Sequence, residues 1–127
     1  MKIIIFEDGH KLASQWVAAL QERGHTATLF VGLSAIGADN FTGIDAKLKP
    51  VTDSIADADL AICDGLLAIL TTPSYHAPAY LPFLMAAGIP CVSTSSGGDV
   101  TEGRGVHIEK EDILSRLDDI LKLARTR

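Results

Sequence analysis

"MKIIIFEDGHKLASQWVAALQERGHTATLF", residues 1–30, holds a strand, an acidic pair, a helix and a second strand in unbroken succession. Residues 2 to 6 read as a buried strand, because Ile3, Ile4, Ile5 and Phe6 form the continuous apolar run typical of parallel sheets covered on both faces. That run leads directly into two carboxylates, Glu7 and Asp8. Leu12, Trp16, Ala19, Leu20 and Arg23 then follow helical spacing up to a natural stop at Gly24. The segment "HTATLFV", residues 25–31, is a second strand by its β-branched and aromatic content.

The same alternation continues outward from this opening. "LAIC", residues 60–63, reads as a third strand and again ends on an acid, Asp64. "TTPSYHAPAYLPFLMAAG", residues 71–88, reads as a loop and then a helix, with Pro78 or Pro82 in its first turn and Gly88 as its stop. "IPCVSTS" and "VHI" supply strands four and five, with the glycine-rich loop "SGGDVTEGRG" (96–105) between them. Ile113, Leu117, Ile120, Leu121 and Ala124 mark a terminal amphipathic helix. Residues 32–50, "GLSAIGADNFTGIDAKLKP", show no sustained period and read as a long irregular insert, and 51–59 leaves room for a short helix. Strands alternating with helices imply an open parallel α/β sheet of five strands with right-handed crossovers.

Length and composition bound the rest. A chain of 127 residues, 47% of them hydrophobic, suits one compact domain over 1–127. Sixteen acidic against eleven basic residues leave a charge of -5, which argues against a general binder of nucleic-acid phosphates. Cys63 and Cys91 stand alone inside apolar runs and read as buried free thiols rather than metal ligands or a disulfide framework. The opening apolar run is too short for a signal peptide, and "LAICDGLLAIL" (60–70) is cut by Asp64 and too short for a membrane span. The expectation is a cytoplasmic protein without membrane association.

In open parallel sheets the working site lies beyond the carboxyl ends of the strands. Glu7 and Asp8 after strand one and Asp64 after strand three therefore emerge at one edge. Ser95 at the end of strand four and His107 from strand five point at the same rim. Clustered carboxylates raise one another's pKa unless a cation sits among them, and Mg²⁺ suits a few carboxylate oxygens on an open rim. With Mg²⁺ beside it, an aspartate can accept a phosphoryl group. Taken alone, Glu7 and Asp8 equally fit a loop that merely begins with acids, and Asp64 at the matching strand end favours a shared site. His10 and His107 beside the acids would suit a transition metal, against an exposed loop histidine and a hydrogen-bonded strand-end histidine. The loop 96–105 offers either an anion cradle of backbone N–H groups or simple flexibility.

At this point the chain resembles the receiver domain of response regulators. The resemblance rests on residues 1–30 and on "DLAICDGLLA" (59–68) and "AAGIPCVSTSS" (86–96). It implies a CheY-like sheet of order 2-1-3-4-5, with Asp64 as phosphoacceptor, Ser95 as the switch hydroxyl, and Glu7, Asp8, Asp64 and the Leu66 backbone carbonyl holding Mg²⁺. It further implies a histidine kinase or phosphotransfer protein as donor and a further protein as output, with a homodimer left open. Such a domain signals rather than turning over substrate. Three departures stand out, the first being the long insert at 32–50. Receivers carry a lysine at the end of strand five, where this chain matches His107, with Lys110 and Arg104 nearby but off the matching position. From Ser95 to His107 is only twelve positions, so the helix between strands four and five is lost. A pseudo-receiver acting through its surfaces, without regulated phosphorylation, is the alternative. A third reading, from "PFLMAAGIPCVSTSSGG" (82–98), is similar to part of the sugar-nucleotide site of two-domain glycosyltransferases, for which the chain is too short.

Overall fold

The computed structural model describes residues 1–65, 67 and 75–125. Five strands form one parallel sheet: β1 (Lys2–Phe6), β2 (Thr26–Phe30), β6 (Leu60–Cys63), β7 (Cys91–Ser93) and β8 (Val106–His107). Their spatial order is β2-β1-β6-β7-β8, which is the expected 2-1-3-4-5 when only this sheet is counted. All four pairings are parallel.

Alternation along these strands divides the core in two. Ile4, Phe6, Ala61, Cys63 and Cys91 face one side, and Ile3, Ile5, Leu60, Ile62 and Val92 the other. Helices α1 (His10–Glu22) and α3 (Leu117–Leu121) cover the second face through Ala13, Trp16, Leu20, Leu117 and Ile120. The first face is covered by helix α2 (Ala77–Ala86) and by a small second sheet. Both faces are dry, which is why the strands read as unbroken apolar runs.

The second sheet is the main departure from expectation. Residues 32–50 are not irregular: they contain β3 (Gly32–Ile36) and β4 (Asn40–Ile44), joined by β5 (Pro50–Ser54) in an antiparallel sheet of order β3-β4-β5. The short helix anticipated in 51–59 does not form: residues 51–54 belong to this third strand and 55–59 are mainly turn and bend. The period was obscured because glycines occupy strand positions and a bulge interrupts the β3–β4 register between Leu33 and Ala35. Leu33 and Phe41 turn inward onto the core, while Ser34, Thr42 and Thr52 hydrogen-bond along the outer side. A β-sheet thus fills the crossover between β2 and β6.

The lost helix between β7 and β8 is observed, with turns through 96–105. The C-terminal helix is shorter than its periodicity suggested: a 3₁₀ turn at Lys110–Asp112 precedes α3, and Ile113, Leu117 and Ile120 carry the buried contacts. Among the described residues no helix is long and apolar enough to cross a membrane.

Gly43 shows how tightly the small sheet is built. A Cβ there would lie 2.0 Å from the Gly32 carbonyl oxygen, so any side chain must push the two backbones apart. Gly43→Ala is expected to lower stability by about 2 kcal/mol in urea denaturation. A loss below ~0.5 kcal/mol, the range of an ordinary surface change, would contradict this packing.

Candidate functional site

The register brings the strand ends to one level. Phe6 pairs with both Phe30 and Cys63, Cys63 with Ser93, and Ser93 with His107. One residue further, a second row of hydrogen bonds runs Glu7 N to Phe30 O, Asp64 N to Phe6 O, Thr94 N to Cys63 O and Ile108 N to Ser93 O. The backbones at Glu7 and Asp64 are therefore fixed by the sheet itself. Phe6, just beneath, stacks on Tyr80 at 4.3 Å and on Phe30 at 5.5 Å. The Tyr80 hydroxyl donates to the Asp64 carbonyl, tying α2 to the end of β6.

Glu7, Asp8 and Asp64 each place a carboxylate oxygen within 4.8 Å of the others. Glu7 and Asp64 are buried, at 1% and 5% exposure, and Asp8 is half-buried. Glu7 Oε2 accepts the Gly9 N–H at 2.9 Å, and Asp64 Oδ1 accepts the Gly65 N–H at 2.8 Å. The Lys110 ammonium lies between them, 3.0 Å from Glu7 Oε1 and 3.2 Å from Asp64 Oδ2. Burial pushes the Glu7 carboxyl up from its ordinary value, with the Gly9 N–H and Lys110 pulling the other way. Burial likewise raises Asp64, and Lys110 opposes it. For Lys110, burial favours the neutral amine, but its bonds to Glu7 and Asp64 outweigh it and the ammonium is held above its usual value.

Lys110 is the residue that the sequence reasoning set aside. His107 pairs in register with Ser93, one level below Glu7 and Asp64, and does not join the carboxylate cluster. Its Nδ1 meets Ser93 Oγ at 2.9 Å and its Nε2 meets Glu109 Oε1 at 3.1 Å. The cation at the end of the fifth parallel strand is Lys110, three residues on. Spacing alone did not mark it, because the end of a two-residue strand is set by its register with Ser93 and Cys63.

Ser95 lines the same cleft and sits close against Gly65. A Cβ on Gly65 would fall 2.6 Å from Ser95 Oγ. The cleft, about 720 Å³, is lined by Asp8, Asp64 and Lys110 together with His76, Pro78 and Val100. His10 begins α1 and is exposed, outside the carboxylate cluster. The Leu66 carbonyl lies outside the described residues.

In the loop 96–105 the N–H groups of Gly97, Gly98 and residues 100–105 are bonded within it or to its neighbours, so they are not free donors for an anion. The Asp99 carboxylate accepts from the N–H groups of Thr101 and Gly103, and Ser93 Oγ from that of Val100. Ser95 takes the N–H of Gly97 on its hydroxyl and that of Gly98 on its carbonyl, and Thr101 Oγ1 takes that of Gly105.

The donor set fits a hard divalent ion. It consists of three carboxylates on a rim open to the cleft, with Glu7 Oε1 and Asp64 Oδ2 met by the Lys110 ammonium, the one cation on them among the described residues. Glu7, Asp8 and Asp64 are the groups that would hold Mg²⁺.

No protein-family model and no curated protein sequence matches the chain. Solved structures do match by fold. The N-terminal domain of a response regulator/sensory box/GGDEF three-domain protein from Carboxydothermus hydrogenoformans aligns with a TM-score of 0.58 and 16% identity over 96% of this chain and 91% of that one. A CheY-like response regulator receiver domain from Methanospirillum hungatei JF-1 aligns with a TM-score of 0.54 and 12% identity over 95% and 93%. A fusion carrying the trimeric coiled coil of yeast Spc42 gives 0.61 and 15% over 97% and 75%. At these identities the likeness is one of fold, and the chain has a CheY-like receiver fold.

The raised carboxyl values fix the sign of a pH effect. Glu7 and Asp64 sit above their unfolded values, so the stability they contribute is full at low pH and is lost as pH rises through the raised values. Lys110 limits that loss. Lys110→Met leaves two buried carboxylates without a counter-charge and is expected to cost about 3 kcal/mol at pH 7. The deficit shrinks as pH falls and the acids protonate. Urea denaturation at pH 4.5 and pH 7 reads the difference, and a deficit equal at both values would contradict the ion-pair account.

Proposed function

We propose that the protein is a phosphoryl-accepting signalling receiver with Asp64 as the acceptor. The observation that carries this reading is the Glu7, Asp8 and Asp64 cluster at the carboxyl end of a CheY-like sheet, with Lys110 across it. The donor would be the phosphohistidine of a histidine kinase or phosphotransfer protein. An Asp64 carboxylate oxygen forms a bond to phosphorus as the phosphorus–nitrogen bond of the donor, protonated on its other ring nitrogen, breaks with its electron pair going to nitrogen, leaving an acyl phosphate and a neutral imidazole. Mg²⁺, held by Glu7, Asp8 and Asp64, would neutralise charge on the transferring group.

The chain's own residues prepare this step. The Gly65 N–H fixes Asp64 Oδ1, which leaves Oδ2 on the Lys110 side. The Lys110 ammonium is placed to move from the carboxylates to the oxygens of an incoming phosphoryl group as charge builds there. Ser95 offers a hydroxyl across the cleft. Output then passes through protein contacts that differ between the free and phosphorylated states.

The turns at 96–105 in place of a helix favour one other reading, a pseudo-receiver that works through its surfaces alone. Intact mass after incubation with acetyl phosphate and Mg²⁺ separates the two. One added phosphoryl mass is expected, absent from Asp64→Asn and from the metal-free sample. No adduct on the folded wild-type protein would overturn the phosphoacceptor reading and leave the interaction module.

A further inference from the structure

The parallel sheet has an open edge at β2 that nothing in the site above uses. Thr26 N donates to Met1 O, and Phe30 O accepts from Glu7 N, so residues 26, 28 and 30 turn their peptide groups toward β1. Ala27 and Leu29 must turn theirs the other way. The outward row is taken up only at its end, where Val31 N donates to Ile44 O of β4 at 2.9 Å. Among the described residues, the N–H and C=O groups of Ala27 and Leu29 have no partner.

These groups open into a groove of about 520 Å³. One wall is α1, through Val17, Ala18 and Gln21, and the other is the β4–β5 turn. That turn carries Lys47 and Lys49, both exposed. The one acid in it, Asp45, also lines the groove; its Oδ1 accepts the N–H groups of Lys47 and Lys49, and the two lysines outnumber it. Neither ammonium has an ion-pair partner among the described residues. Between them Leu48 is held at a φ of 61° and is 49% exposed. On a chain of net charge -5, this turn is a local basic and apolar lip.

We propose that the groove binds an extended acidic segment of a partner protein by strand addition to β2. Its backbone pairs with Ala27 and Leu29, its inward side chains lie against Val17 and Ala18, and its carboxylates meet Lys47 and Lys49. Strand addition supplies backbone hydrogen bonds that are indifferent to side chains, and the lysines then select for acids. The blocked end at Val31 limits the added strand to a short one. This inference is independent of phosphorylation at Asp64.

The test uses the full chain, ¹⁵N-labelled, with a hexapeptide of alternating glutamate and valine as probe. At saturation, amide hydrogen exchange at Ala27 and Leu29 is expected to slow at least ~10-fold as the free edge becomes paired. A double variant, Lys47→Glu with Lys49→Glu, is expected to weaken binding about tenfold. Unchanged exchange at Ala27 and Leu29 would overturn the proposal. So would equal binding of the lysine–valine counterpart, or binding only to phosphatidylserine vesicles with none to the peptide.

Discussion

The Lys110 ammonium between Glu7 and Asp64 is the interaction on which the site's arrangement turns. Two carboxylates removed from water next to each other are costly unless a cation meets them. The sheet leaves them no escape, since both backbones are pinned in the hydrogen-bond row that ends β1 and β6. Lys110 comes from beyond β8, so the ion pair joins the chain's first strand, its central strand and the segment that leads into α3. Charge balance at the rim therefore also helps to place the C-terminal part of the chain.

Around that centre, the fold keeps the parallel sheet and rebuilds what surrounds it. A three-stranded antiparallel sheet fills the crossover from β2 to β6, and its Leu33 and Phe41 join α2 in covering one face. Between β7 and β8, backbone N–H groups that donate to the side-chain oxygens of Ser93, Asp99 and Thr101 organise turns where a helix would otherwise stand. This loop forms one wall of the cleft through Gly97, Asp99 and Val100. His107 helps to support it, because the Ser93 hydroxyl that meets its ring also receives the Val100 N–H.

Much of this was legible in the sequence where burial imposed a pattern. Strands dry on both faces give continuous apolar runs, so β1 and β6 could be inferred, and with them the convergence of Glu7, Asp8 and Asp64, while the sheet order followed from the resemblance to receiver domains. The second sheet was hidden because Gly32 and Gly43 approach too closely for side chains and a bulge breaks the alternation of β3. Lys110 was hidden for another reason. A two-residue strand defines its own end poorly, and the rim position depends on register with Ser93 and Cys63, which only the paired structure reveals. The same register explains why His107, chosen by sequence position, bonds to Ser93 and Glu109 instead.

The central claim is that Glu7 and Asp64 belong to one buried, cation-dependent cluster. The most direct measurement is a ¹³C carboxyl NMR titration of these two residues with and without Mg²⁺. Without metal, both are expected to titrate above the ordinary carboxyl range, and with Mg²⁺ both should fall as the ion stabilises the charged forms. Ordinary values that do not respond to Mg²⁺ would contradict the account.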